Sequence, residues 1–160
     1  MPTEITATVD PTASRTDART LHDQPVVMDA DPPHGADAAA SPIETLLAAL
    51  AGCTAMDVAS ILRKKRQVAS SYELVVSGSQ RDEHPRVFTA IAVEHRLTGD
   101  LDPEAVRRSV ELSATQYCPV NAMLSAVARI EHRYRLTGDD GVTHQAVVAI
   151  IGPDRRIQVL

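Results

Sequence analysis

Aromatic residues are scarce in this chain. It contains one phenylalanine, three tyrosines and no tryptophan among 160 residues. A surface of exposed rings on which single-stranded nucleic acid could stack is therefore not expected. The net charge of -5 also disfavours a phosphate-rich partner. Both features argue against nucleic-acid binding.

Cysteine is almost as rare, because Cys53 and Cys118 are the only two. Two cysteines are too few for a disulfide scaffold, and they are not spaced as a CxxC motif.

Residues 1–10 lack the basic and apolar segments of a secretory signal, and the one long apolar stretch is interrupted by Gly52 and Asp57. The sequence predicts a soluble, cytoplasmic protein that does not bind membranes and has no cofactor or resident metal.

The hydrophobic content of 44% is mainly aliphatic and is sufficient for one core. We therefore predict a single domain over residues 1–160. It would consist of N-terminal strands and a loop (1–40), a core with both cysteines (41–137) and a C-terminal β extension (138–160). The pattern of strands and helices predicts an α+β fold with a mainly antiparallel sheet packed around long central helices.

The longest helix is predicted in residues 41–67. Ser41 and Glu44 form a capping-box pattern, and Pro42 suits the first helical position. Residues 46–62 are apolar or small on nearly all faces, so we expect this helix to be buried. At about 1.5 Å per residue it is on the order of 40 Å long, more than a chain of this size covers alone. A second copy of the chain is the simplest cover.

The remaining pattern predicts strands joined by turns and short helices. Alternating residues 3–9 predict a strand, residues 11–19 a polar loop, and residues 25–28 a short strand. The later elements are two antiparallel strands (72–79 and 87–97), a helix (103–115), a short helix that begins at Pro119, and three strands (130–136, 143–151 and 157–160).

Local structure leaves the roles of both cysteines open. Cys53, in mid-helix, is either a small core residue or a reactive thiol that needs a cation from another element, with Arg15 or Arg19 as candidates. Cys118 is predicted at the N-cap of the short helix. It is either a simple cap or, because the helix dipole favours negative charge there, the more readily ionised of the two.

Two carboxylates were weighed as supporting groups. Asp57 lies one turn beyond Cys53 and about 40° from its direction, whereas Glu44 points about 180° away and serves the capping box. We expect Asp57 to be buried and paired, and it could hold an arginine. A zinc site of Cys53, Asp57, Cys118 and either His84 or His95 can be imagined, but the spacing does not support it. None of the six histidines is assigned a catalytic role.

The segments SPIETLLAALAGCTAMDV and YCPVNAML resemble the two cysteine motifs of the OsmC/Ohr family, named for osmotically inducible protein C and organic hydroperoxide resistance. The resemblance extends over roughly residues 20–137 in element order, and is closer to the general OsmC-like branch. It implies an intertwined homodimer with the long helices at its centre.

By this resemblance, Cys53 corresponds to the peroxidatic cysteine and Cys118 to the resolving cysteine of a thiol peroxidase acting on organic hydroperoxides. The implied reductant is an external dithiol, which lipoyl-bearing proteins supply in the better understood members of the family. The family also uses an N-terminal arginine held by a glutamate directly after the proline of the long helix. Here that position is Ile43, which favours an alternative: a non-enzymatic redox sensor or a dimer that binds apolar ligands.

Overall fold

The computed structural model describes residues 3–154 and 157–160. These residues form two compact units, one up to Ala48 and one from Ala49 onward, so that the boundary falls within the longest helix. The assignment of residues 1–160 to a single domain remains a prediction.

The N-terminal unit contains a three-stranded antiparallel sheet in the order β1-β2-β3, formed by Ile5–Asp10, Arg15–Thr20 and Pro25–Met28. The prediction of a loop over residues 11–19 was wrong, because β2 begins at Arg15. Of the six described residues of β2, Ala18 alone is buried. The strand forms because it hydrogen-bonds to a neighbour on each side, and its polar sequence carries no alternation that would reveal it.

Helix α1 spans Pro42–Lys64 and begins with the predicted capping box. The backbone N–H of Ser41 donates to Glu44 Oε2 over 2.8 Å, and the N–H of Glu44 donates to Ser41 Oγ over 3.3 Å. These bonds satisfy amide groups that have no partner inside the helix. The prediction of the helix start is confirmed.

One stripe of α1 is buried, formed by Leu50, Thr54, Val58 and Leu62. The single chain does not cover the other faces, since Met56 is 74% exposed, and the expectation that a second copy of the chain covers them stays a prediction. By length and mean hydropathy (1.7) α1 could span a membrane, although the core helix of a soluble protein meets the same criteria. Only 22% of its most apolar segment is buried within this chain.

The C-terminal unit is built on a five-stranded sheet in the order β4-β5-β6-β7-β8. All neighbouring strands are antiparallel except β5 and β6, which are parallel. The predicted α+β fold with a mainly antiparallel sheet is confirmed. Strand β4 spans Ser71–Gln80, β5 spans Phe88–Thr98, β6 spans Arg129–Thr137, β7 spans Thr143–Ile151 and β8 spans Ile157–Val159.

The parallel pair requires a crossover between β5 and β6. This crossover carries α2 (Pro103–Leu112), a π-helical turn (Ser113–Tyr117) and α3 (Pro119–Leu124). Cys118 lies between the last two and caps α3, accepting a hydrogen bond from the N–H of Asn121 at its Sγ over 3.3 Å. Its predicted N-cap position is confirmed.

The crossover and α1 pack on the sheet through an apolar cluster of Val58, Leu62, Leu97, Leu101, Val106, Val110, Tyr134, Leu136 and Val148.

Two histidines are also fully buried in this unit. His95 of β5 and His132 of β6 are both 0% exposed. Burial lowers the pKa of His95 to about 3, with a smaller contribution from His132, and lowers the pKa of His132 to about 4. Both imidazoles are therefore neutral in the folded protein at ordinary pH.

Acid should destabilise the fold before its carboxylates titrate. The unfolded chain takes up protons at His95 and His132 near pH 6.5, whereas the folded chain resists protonation down to about pH 4 and below. Because the unfolded state binds more protons in this window, the free energy of unfolding should fall as the pH drops from about 6.5, by up to about 1.4 kcal/mol per pH unit for each histidine.

Urea unfolding at fixed protein concentration between pH 7.5 and 4.5 measures this slope. His132→Gln should lose the contribution of one histidine to the pH dependence of the free energy of unfolding. His144→Gln, which changes an exposed residue of β7, should show the same pH dependence as the parent. Equal stability of the parent at pH 7 and pH 5 would contradict the prediction.

Candidate functional site

Three reactive side chains meet where α1 contacts the crossover. The sulfur atoms of Cys53 and Cys118 and a carboxylate oxygen of Asp57 all lie within 4.8 Å of one another. Cys53 and Asp57 are four residues apart on α1 and therefore share a face of the helix. Cys118 enters from the turn before α3. The cluster joins two thiols, which could form a disulfide, to one carboxylate.

Asp57 is fixed by a pair of buried hydroxyl groups. Ser113 Oγ donates to Asp57 Oδ2 over 3.1 Å and lies 2.9 Å from Thr54 Oγ1. Because the proton of Ser113 is directed to Asp57, Thr54 is the donor in the second bond. Asp57 is half-buried, although the sequence predicted full burial. A polar partner was also predicted for it, and the structure shows that this partner is Ser113.

The two thiols have different environments. Cys118 is 3% exposed, whereas Cys53 is half-buried. Burial raises the pKa of Cys118 to about 12, with further contributions from its hydrogen bond to Cys53 and the charge of Asp57, against the opposing N–H of Asn121. The expectation that Cys118 ionises readily was wrong, because desolvation outweighs the favourable helix terminus.

The other predicted site residues belong to the N-terminal unit and have partners there. Arg15 lies 3.1 Å from Asp17, and Arg19 lies 3.5 Å from Asp23. Glu44 is engaged in the capping box with Ser41. Each of the three is thus held by a neighbour in sequence.

Sequence reasoning missed a buried polar group behind the cluster. Tyr72 Oη lies 2.6 Å from His95 Nδ1, and the pKa of Tyr72 is raised by burial and by the charge of Asp57. On the adjoining strand, His132 Nε2 lies 2.8 Å from Asn121 Oδ1. A signal was available, because His95 and His132 alternate with buried apolar residues and so occupy inward positions of their strands.

The cluster also has the composition of a metal site. Two sulfurs and one carboxylate oxygen suit zinc, which generally takes four ligands. Neither of the two histidines considered as further ligands, His84 and His95, belongs to the cluster formed by the described residues. Within the described residues the cluster therefore supplies three ligands, and zinc bound there would compete with the redox chemistry of the thiols.

Comparison with known proteins gives the family. The profile of the family described as OsmC-like protein matches residues 34–133. Protein YhfA of Escherichia coli K12 is 45% identical over 101 residues, which cover 62% of this chain and 75% of YhfA.

Solved structures show the same fold. An OsmC-like protein from Mycoplasma pneumoniae has a TM-score of 0.73 and 18% identity, covering 85% of this chain and 97% of that one. An organic hydroperoxide resistance protein OsmC from Legionella pneumophila has a TM-score of 0.61 and 15% identity, with 82% and 95% covered. With a family match over more than half of its length and these neighbours in structure, the chain belongs to the OsmC-like protein family.

Proposed function

We propose that the protein is a thiol-dependent peroxidase that reduces organic hydroperoxides and so protects against oxidative stress. The observation that carries this proposal is the approach of Cys53 Sγ and Cys118 Sγ to within 4.8 Å, beside Asp57. Two thiols at this separation need only a small movement to reach the S–S bond length of about 2.05 Å. The hydroperoxide-resistance protein among the structural neighbours is in keeping with it.

The environments of the thiols support Cys53 as the peroxidatic residue and Cys118 as the resolving one. The first attack requires a thiolate that a hydroperoxide can reach. Cys118 is buried, and its pKa of about 12 keeps it protonated at neutral pH. Cys53 is the more accessible of the two. We assign its activation to an arginine of the N-terminal unit, Arg15 or Arg19.

The proposed cycle has three balanced steps. Cys53–SH and ROOH give the sulfenic acid Cys53–SOH and the alcohol ROH. Cys53–SOH and Cys118–SH then give the disulfide and water, and we assign Asp57 as the group that takes the proton of Cys118 and passes it to the departing hydroxide. An external dithiol, for which a lipoyl-bearing protein is the proposed source, restores both thiols and becomes a disulfide.

We further propose a cytoplasmic homodimer in which two copies of α1 cover each other. The argument rests on the apolar surface of α1, since only 22% of its most apolar segment is buried by its own chain. The apolar side chains next to Cys53 favour hydroperoxides with an apolar tail over hydrogen peroxide.

A non-enzymatic redox sensor or apolar-ligand-binding dimer is the second candidate. The observation that favours it is Ile43, which stands where the resemblance places a glutamate after Pro42. The dithiol would then be oxidised without turnover.

Replacing each cysteine separates their roles. With tert-butyl hydroperoxide and a dithiol, Cys53→Ser should abolish turnover and disulfide formation. Cys118→Ser should allow one oxidation of Cys53 to the sulfenic acid and then stall or over-oxidise it. Mass spectrometry after one equivalent of hydroperoxide identifies the modified residue. A sulfenic acid on Cys118 would reverse the assignment, and the absence of any reaction within minutes would favour the non-enzymatic candidate.

Arg15→Ala and Arg19→Ala extend this comparison. Only the variant that lacks the activating cation should show slower oxidation of Cys53. Equal rates in both variants and the parent would remove the arginine from the proposal.

Asp57 variants distinguish charge from packing. Asp57→Asn keeps an acceptor for Ser113 and should retain stability, whereas Asp57→Ala should lose about 1–2 kcal/mol because a buried hydroxyl loses its acceptor. Both should reduce turnover at least about tenfold, as expected when the acid–base group of a reaction is removed. Turnover assays and urea unfolding measure the two effects. Full activity of Asp57→Asn would show that the carboxylate charge has no role.

Dimerisation is tested by sedimentation at low micromolar concentration. The parent should sediment as a dimer, and Met56→Lys, which places a charge on the uncovered face of α1, should weaken association. Val142→Lys, in the turn before β7 and 49% exposed, is the matched control and should remain dimeric. A stable folded monomer of the parent is the contrary result.

A further inference from the structure

Two ring nitrogens in the core have no use in the proposed cycle. His95 Nε2 and His132 Nδ1 are buried and have no hydrogen-bond partner among the described residues. Their rings belong to the adjacent strands β5 and β6, and the ring centroids are 6.0 Å apart. A buried polar atom without a partner costs free energy, so two such atoms on neighbouring buried rings require an explanation.

The position of the proton on His132 follows from its neighbour. Asn121 Nδ2 donates to the carbonyl of Ala114 over 2.7 Å, which fixes the orientation of the amide and turns Oδ1 towards His132. An amide oxygen only accepts, so His132 Nε2, at 2.8 Å, carries the proton. His132 Nδ1 is therefore a bare acceptor.

The position of the proton on His95 is inferred from its two neighbours, the hydroxyl of Tyr72 and the bare acceptor of His132. If Tyr72 Oη donates to His95 Nδ1, then His95 Nε2 carries the proton of that ring and is a donor available to the bare acceptor of the neighbouring His132. The opposite tautomer of His95 would leave two buried acceptors on neighbouring rings and a donor on neither of them, which is unfavourable. Burial and the charge of Asp57 raise the pKa of Tyr72, so its hydroxyl keeps its proton and is able to donate.

We propose that Tyr72, His95 and His132 form a hydrogen-bonded chain whose donors all point towards Asn121, and that this chain positions Cys118 for disulfide formation with Cys53. A small shift that brings the N–H of His95 Nε2 to His132 Nδ1, or one water molecule that accepts from the first atom and donates to the second, would join the two imidazoles. Successive bonds in one direction polarise and strengthen one another.

Asn121 connects this chain to the thiol. Its Oδ1 accepts from His132, its Nδ2 donates to Ala114 in the π-helical turn, and its backbone N–H donates to Cys118 Sγ. Asn121 thus holds both ends of the turn that carries Cys118, one through its side chain and the other through its backbone N–H. A held turn keeps the Cys118 thiol at high effective concentration beside Cys53. This inference rests on the proposed pairing of the two cysteines.

The tautomers are directly measurable in the parent protein. Long-range nitrogen–proton NMR of uniformly labelled, reduced protein at pH 7 should show His95 and His132 in the Nε2–H form. The Nδ1–H form of His95, or exchange of either ring between both forms, would overturn the directed chain.

The effect on Cys118 is measured in glutathione redox buffers, where the reduced protein and oxidised glutathione give the protein disulfide and two reduced glutathiones. His132→Leu removes the donor to Asn121 and should lower the equilibrium constant about tenfold, the effect of one lost buried hydrogen bond. His132→Gln keeps an N–H donor and should remain within about threefold of the parent, because the bond to Asn121 is retained. His144→Gln should match the parent.

This experiment uses no hydroperoxide, so it distinguishes failure of the positioning role from failure of the proposed peroxidase. Equal constants for His132→Leu and the parent, or no disulfide in the parent, would overturn the positioning role. If His132→Leu does not fold, Tyr72→Phe tests the positioning role in its place, because this variant removes the first donor of the chain. It should lower the constant by about threefold, less than the full loss of a bond to Asn121, and an unchanged constant would count against the proposal.

Discussion

The hydrogen bond between Thr54 and Ser113 joins the two elements from which the candidate site is built. Both residues are 0% exposed, and their oxygens are 2.9 Å apart. Hydroxyl groups at such depth must be paired, so α1 and the π-helical turn can pack together only in the register that brings these two residues opposite each other. That register places Cys53 and Asp57 next to Cys118. The site therefore depends on a contact that takes no part in its chemistry.

Much of the fold could be predicted from local signals. Capping residues mark the start of α1 and the position of Cys118, and alternating β-branched residues mark β4 to β8, because these patterns report backbone and burial constraints that act within a few residues. Strand β2 lacked such a signal, since its pairing partners and not its side chains make it a strand. The apolar sequence of α1 predicts that the helix is covered, but it does not itself reveal which molecule covers it.

The site could be predicted in part. The i, i+4 spacing of Cys53 and Asp57 fixed their common face, and the meeting with Cys118 followed from resemblance. Cys118 was misjudged because a helix terminus is visible in sequence whereas depth is not, and depth decides its pKa. His95 and His132 were passed over for a related reason. Their partners, Tyr72 and Asn121, are distant in sequence, and only the parallel pairing of β5 with β6 brings the two rings together.

That parallel pairing also governs how the protein folds. Strand β6 can join β5 only after the crossover between them has closed into a loop, and loop closure of this kind is slow compared with hairpin formation. Cys118 and its support through Asn121 and His132 lie inside or directly after this crossover. The dithiol therefore depends on residues distant in sequence, because Cys53 on α1 meets Cys118 only where the crossover packs against that helix. A partly folded chain, whose thiols are exposed but apart, lacks the arrangement that makes them a redox pair.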